Sequence, residues 1–560
     1  MSAPGEHSVL ESVRLDDAWA LVEELAELVR ESGTEDERRA VGAITSRLEA
    51  WGVPHRVYEP VCLISLPRAA GLTVGGRAYA AKTPSMARST GPEGWTARLV
   101  YERGAFAEKV DEIFAAAPGE ADVAGKFVLT EGFPMPGTVV QLEERGAAGV
   151  VCISPGERIH EGICTPVWGS PDLATYSRKP AIPVVSVSRS DGLAIVEQAE
   201  AGGVAATIVA EHEEGWVPIP VVVAEIEGAV EPERFVLLHG HLDSWHVGVG
   251  DNATGDATLL EVARVLYEHR DRLPRSVRVA WWSGHSHGRY AGSTWYADEH
   301  ALDLERNCIC HVNCDSPGCR DADVFEDVCW SAELADFARD AIRDFAGLPA
   351  EGRSPLRAGD ISFQNLGIPT FFMLSSTMPA ELRRERGLYA VGGCGGNVEW
   401  HTEADTLEIA DRDRLLRDMR LYAGAVFRAA ALPLHPLDLR LTVAQIDEAA
   451  RGYGEVVDVR PARAALESLY ESAAGVETIE DARPFNDALL RASRELSRVL
   501  YVRGGRYRQD PALDAPLLPD FAAAAAAAGT VPNGVVETEL RRARNRLEGA
   551  LQRAAEAARL

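Results

Sequence analysis

Three short apolar runs, Phe235 to Leu238, Val277 to Trp282 and Cys308 to Val312, punctuate one stretch of the chain with helical periodicity between them. No other feature restricts the fold as much. In the first interval, Gly255 to Tyr267, the residues Leu259, Val262, Ala263 and Leu266 recur every three or four positions and so share one helix face. Strands that are apolar throughout are covered on both sides, and strand–helix–strand order lays them parallel. The pattern predicts an α/β core over residues 229–435, with a mixed, mostly parallel sheet flanked by helices. Such sheets bind ligands outside the carboxyl ends of their strands.

At 560 residues the chain exceeds a single core, because domains run at about 100 to 200 residues. Upstream, Thr34-Glu-Asp-Glu37 reads as a capping box ahead of Val41, Ile44 and Leu48, predicting a helix that ends near Gly52 and a strand from His55 to Tyr58. Between 62 and 228 the texture changes to short β-like runs broken by Gly and Pro, such as Gly125-Lys-Phe-Val-Leu-Thr130, Gly149 to Ile153 and Ile182 to Val187. After Pro433 the chain turns helical. Leu540, Leu547, Leu551, Ala554 and Ala558 line one face of the last helix, which needs a partner surface. The expected organisation is a catalytic unit of residues 1–61 and 229–435, an inserted β-rich unit over 62–228 and a helical unit over 436–560.

A formal charge of −28 repels phosphate backbones and anionic membranes. No run approaches the roughly 18 apolar residues of a membrane span, and Met1 to Leu10 lacks the basic and apolar regions of a secretory leader. A soluble cytoplasmic chain with neither nucleic-acid nor membrane partners is expected. The nine cysteines, four of them at Cys308, Cys310, Cys314 and Cys319 without zinc-ribbon spacing, read as reduced thiols.

His241 and Asp243 follow the first apolar strand, Asp251-Asn252 opens the next helix, Asp315 follows the Cys308 strand, and Trp400-His401-Thr-Glu-Ala-Asp405 opens a helical segment. Imidazole and carboxylate are the ligand types zinc takes, and a carboxylate can bridge two ions. These residues, with Gly292-Ser293-Thr294 and Gly359-Asp360-Ile-Ser-Phe363 before Gly367-Ile-Pro369, resemble the zinc aminopeptidase family that includes bacterial leucyl aminopeptidases, glutamate carboxypeptidase and the transferrin receptor. The resemblance implies that His241, Asp251, Asp315 and His401 hold a divalent metal, zinc, as one or two ions, with Asp251 bridging and Asp243 orienting the site. It also implies a protease-associated domain in the insertion, a homodimer formed through the helical tail, and metal-dependent hydrolysis of an amide, a short peptide or a related small molecule.

The chain departs from the family where two consecutive glutamates, a general base and a ligand, are expected, because it reads Ser283-Gly-His285-Ser286-His287-Gly288. Counting from Pro274, or back from Gly292-Ser293, puts Ser286 at the base position and His287 at the ligand position. Counting from Val277-Arg278 puts His285 at the base position and Ser286 at the ligand position. Imidazole suits the ligand role, so His287 joins the candidate ligands. Serine cannot act as a base at neutral pH, and His285 is the natural substitute. Loss of the carboxylate leaves two other classes open: a metal-dependent lyase on a chelating small molecule, and a non-catalytic receptor-like protein. After Tyr507 there is no counterpart of the loop that reads a terminal glutamate in the carboxypeptidase branch, so glutamate specificity is unsupported. His239 and His246 receive no role, and Cys314 reads as a core thiol.

Overall fold

The computed structural model describes residues 3–113, 119–201, 203–372 and 374–560. A central sheet runs in the order His55–Tyr58, Val221–Ile226, Arg275–Trp282, Glu231–His241, Cys308–Asn313 and Thr370–Phe371. Its last four strands are mutually parallel, and the two edge strands at the other side run antiparallel to their neighbours. Period-two alternation sorts each strand between two helical layers. Val236 and Leu238 pack with Leu259, Val262 and Leu266 on one face, while Phe235 and Leu237 meet Tyr296, Ala297 and Leu304 on the other.

The helix Glu35–Trp51 ends at Gly52, whose φ of 72° supplies the left-handed exit. Neither hydrogen bond of the expected capping box forms. Glu37 accepts from the Gly33 amide at 2.6 Å, and the Thr34 hydroxyl is engaged by the preceding turn and donates to the Glu31 carbonyl at 2.7 Å.

Between Tyr58 and Val221 the chain builds a second sheet of seven strands. The strand Val61–Val74 pairs antiparallel with Ala205–Pro218, from Val61 opposite Pro218 to Val74 opposite Ala206. The strands Trp95–Tyr101, Phe127–Glu131, Gly149–Ile153 and Val184–Val187 follow in parallel. Because Val221–Ile226 already lies in the central sheet, the excursion closes near residue 219 and not at 228. Apolar β-like texture continues across that point, so texture alone could not mark it.

The C-terminal region is helical from Leu439 onwards. Leu547, Leu551 and Ala554 of the last helix, Asn533–Ala557, share a core with Leu489, Leu496 and Leu500 of Ile479–Tyr501. The surface that the apolar stripe requires is therefore supplied within the chain. Arg494 ties this region to the central unit, its buried guanidinium donating to the carbonyls of Glu305, Gly367 and Cys308. All nine cysteines are buried and unpaired. Among the described residues no helix is long and apolar enough to cross a membrane.

Candidate metal centre

Three parallel strands end side by side at His241, Trp282 and Asn313, and the loops that leave them meet in one place. His241 donates from Nδ1 to the Asp243 carbonyl (2.8 Å), which leaves Nε2 as the free ring nitrogen. That Nε2 lies 2.9 Å from Asp251 Oδ1 and 3.8 Å from Asp315 Oδ2. The second oxygen of Asp251 is 3.1 Å from His401 Nε2, and His401 in turn donates from Nδ1 to the Glu161 carbonyl (3.1 Å). Residues from both sheets thus orient the donors. Asn252 stitches the loops, donating to the carbonyls of His241 and Cys314 and accepting from the Ser316 amide. Asp405 accepts from the Gly250 and Asp251 amides at 2.7 and 3.0 Å and so fixes the approach of Asp251. Arg289, Tyr290, Ser316, Asp360 and His401 all have left-handed φ between 48° and 69°, and strain of this kind gathers where a site over-determines its backbone.

The buried carboxylates draw positive charge to this place. Burial alone would depress the His241 imidazole, yet the carboxylates of Asp251, Asp315 and Asp243 outweigh it and hold the ring well above its ordinary value. Burial, with Asp251 beside it, pushes Asp315 up to about 6, and burial takes Asp405 to about 7. His241 Nε2 and Asp251 Oδ1 are buried 2.9 Å apart, and neither has any other hydrogen-bond partner. Nitrogen and oxygen donors left unsatisfied in this way fit a divalent cation of the zinc type. His241, Asp251 and Asp315 form a three-donor set whose ligand atoms lie within 4.8 Å of one another. At a second position Asp251 and His401 offer only two donors. Glu161, His246 and Glu403 also cluster, but Lys82 already supplies their positive charge, at 3.0 Å from Glu161 and 2.5 Å from Glu403.

The His285 ring stacks on His241, with centroids 3.8 Å apart and planes at 15°. Its Nδ1 lies 2.6 Å from Asp360 Oδ2, and Asp360 Oδ1 accepts from the Ser293 hydroxyl at 2.6 Å. His285 and Ser286 both face the cavity, as in the register counted from Val277-Arg278. His287 does not join them. It is buried against Trp245 with ring centroids 4.3 Å apart, and its Nδ1 accepts from the Ser32 amide. The cause is Asp243, whose carboxylate accepts from the His285 and Ser286 amides at 3.0 and 2.8 Å and turns those two residues inward, leaving the next one behind the loop. Four of the five candidate ligands are therefore brought together, and His287 lies apart from them, its Nε2 buried without a hydrogen-bond partner. His239 stacks on His311 inside the core. The Cys314 thiol points to the Gly255 carbonyl, away from the donors.

Asp360 and Asp405 lie in motifs legible in the sequence, yet nothing in their spacing discloses what they touch. Glu161 offers no signal at all, because it acts through its backbone. Around the donors lies a narrow cavity of about 70 Å³, lined by Trp245, His285, Arg289, Tyr290, Trp400 and His401 among others.

The chain matches peptidase family M28 over residues 221–426. It is similar to aminopeptidase NAALADL1 of Mus musculus, at 37% identity over 98 residues, or 17% of this chain and 13% of the relative. It is also similar to carboxypeptidase Q of Bos taurus, at 26% identity over 289 residues, or 48% and 57%. The matches thus span less than two thirds of either relative. Among solved structures, an aminopeptidase from Aneurinibacillus sp. strain AM-1 shares the fold with a TM-score of 0.55 and 20% identity, covering 76% of this chain and 96% of that one. A peptidase M28 precursor from Shewanella amazonensis does so with a TM-score of 0.55 and 19% identity, covering 77% and 97%.

Proposed function

We propose that the chain is a hydrolase of amide or peptide bonds in small substrates, with one zinc ion held by His241, Asp251 and Asp315 and with His285 as the base. The aminopeptidase and carboxypeptidase names of its relatives support the reaction class. The observation that carries the proton chemistry is the 2.6 Å contact between His285 Nδ1 and Asp360. When bound, the ion supplies Lewis-acid polarisation of the scissile carbonyl and acidifies water. Asp360 takes the Nδ1 proton as hydrogen-bond acceptor, so the lone pair of His285 sits on Nε2, which has no protein partner. From there His285 removes a proton from the attacking water and delivers it to the departing amine. Stacking on His241 holds the ring plane, and Asp243 holds the loop that carries it. A single ion follows from the second position, where Asp251 and His401 offer only two donors.

Purified zinc-loaded protein, assayed against aminoacyl amides and dipeptides, should release amine. His285→Ala should lower kcat by about a hundredfold or more and leave zinc content unchanged, whereas turnover that survives the substitution would remove His285 from the base role. Elemental analysis should return about one zinc per chain, given one complete set of three protein donors. Two ions would sink the single-site assignment, and none would sink the metalloenzyme. If no panel member is cleaved although zinc is present, the reaction is not amide hydrolysis.

A further inference from the structure

Seven arginines are buried among the described residues. Arg264, Arg275 and Arg428 pair with carboxylates, and Arg30, Arg357 and Arg494 donate to backbone carbonyls. Arg289 differs. It is 5% exposed, has no carboxylate within 4 Å, makes no side-chain hydrogen bond, and its Nε is buried without an acceptor. Its central carbon lies 5.0 Å over the Tyr290 ring, but a buried guanidinium without an anionic partner is costly, so a fold retains it where a ligand supplies the missing anion. Arg289 lines the same cavity as His285 and Asp315, and its backbone is held in a left-handed turn with φ 48°. Its carbonyl accepts from the Gly169 amide at 2.6 Å, which anchors the turn to the second sheet. The same cavity is lined by the apolar Val110, Ile163 and Ala358 and by Asp251 and Asp315, neither of which forms an ion pair with the guanidinium.

We propose that Arg289 is a specificity residue that receives a carboxylate of the substrate, so that the preferred substrates are amides or peptides bearing a free carboxylate. The inference rests on the proposed hydrolase reading. Arg289 is the only arginine or lysine among the described residues lining the cavity, and Arg357, near enough to feel its charge, is turned to the Asp510 carbonyl. One guanidinium at the wall matches one unit of negative charge, which favours a carboxylate over a phosphate dianion, and its planar fork binds two oxygens at once.

The test is calorimetric titration of the zinc-loaded protein with N-acetyl-leucine and with N-acetyl-leucinamide, which share a shape and differ in charge. Wild type should bind the acid about tenfold to a hundredfold more tightly than the amide, the range of a charge-assisted pair. In Arg289→Met that ratio should fall to near one. Arg289→Lys, which keeps the charge and loses the fork, should lie between them. Zinc content should be unchanged, and the ligand-free Tm of Arg289→Met should not fall, because an uncompensated buried charge has been removed. Equal binding of both probes by wild type, binding of neither, an unchanged ratio in Arg289→Met, or a lowered Tm in that variant would each overturn the proposal. Binding is read without turnover, so an enzyme that cleaves no amide could still show the preference, and a cleaving enzyme could lack it.

Discussion

At the scale of single residues, Asp243 decides most. By accepting from two successive amides of the 285–287 loop and from Ser32 at 2.8 Å, it selects which side chains meet the metal centre. His287 is left in a packed pocket beside Trp245, so His287→Ala should leave zinc content intact while costing about 1–3 kcal/mol through lost packing. Urea unfolding and elemental analysis of one preparation read both, and loss of zinc would mean that the loop turns the other way. His241 and Asp251 were legible in the sequence because a polar residue at the end of an apolar strand has only the strand's carboxyl edge to occupy. The choice between His285 and His287 was not legible, since an irregular loop has no repeat to dictate direction. It depends on an acceptor 42 residues away.

At the scale of elements, the helix Thr254–Glu268 carries a conspicuous tension. Its first turn places Asp256 in the core, fully buried, with neither carboxylate oxygen hydrogen-bonded. Burial pushes this group from 3.8 up to about 7. The folded state therefore holds a proton that the unfolded chain releases at lower pH, and stability should decline as pH rises from about 4 to about 7 and level off above. Asp256→Asn removes that titration, so its stability relative to wild type should grow across the same window. Chemical denaturation of both proteins between pH 5 and 8 measures this, and parallel curves would show that Asp256 is ionised in the fold. The helix itself was evident from periodicity. That every residue from Thr254 to Leu266 would be buried was not, because the N-terminal segment covers polar positions of the helix: Glu261 accepts from the Arg14 amide and Arg264 donates to the Ser12 carbonyl.

Over the whole molecule, the chain is held together by buried polar ties between units that periodicity describes separately. Arg494 is one such tie, and Arg494→Met would strand three carbonyls at a cost of roughly 2–4 kcal/mol. Denaturant unfolding checks this, and unchanged stability would mean that apolar packing alone docks the C-terminal helices. What the sequence determined by itself was the parallel core, the helical tail and the donors at strand ends, since each follows from local periodicity or from position along an element. Tertiary structure decided the rest: where the second sheet closes, that the last helix is covered within the chain, that the backbone of Glu161 orients His401, and that His285 pairs with Asp360 while His287 turns away. These depend on contacts between residues far apart in the chain, and neither the pattern nor the spacing of a sequence carries such distances.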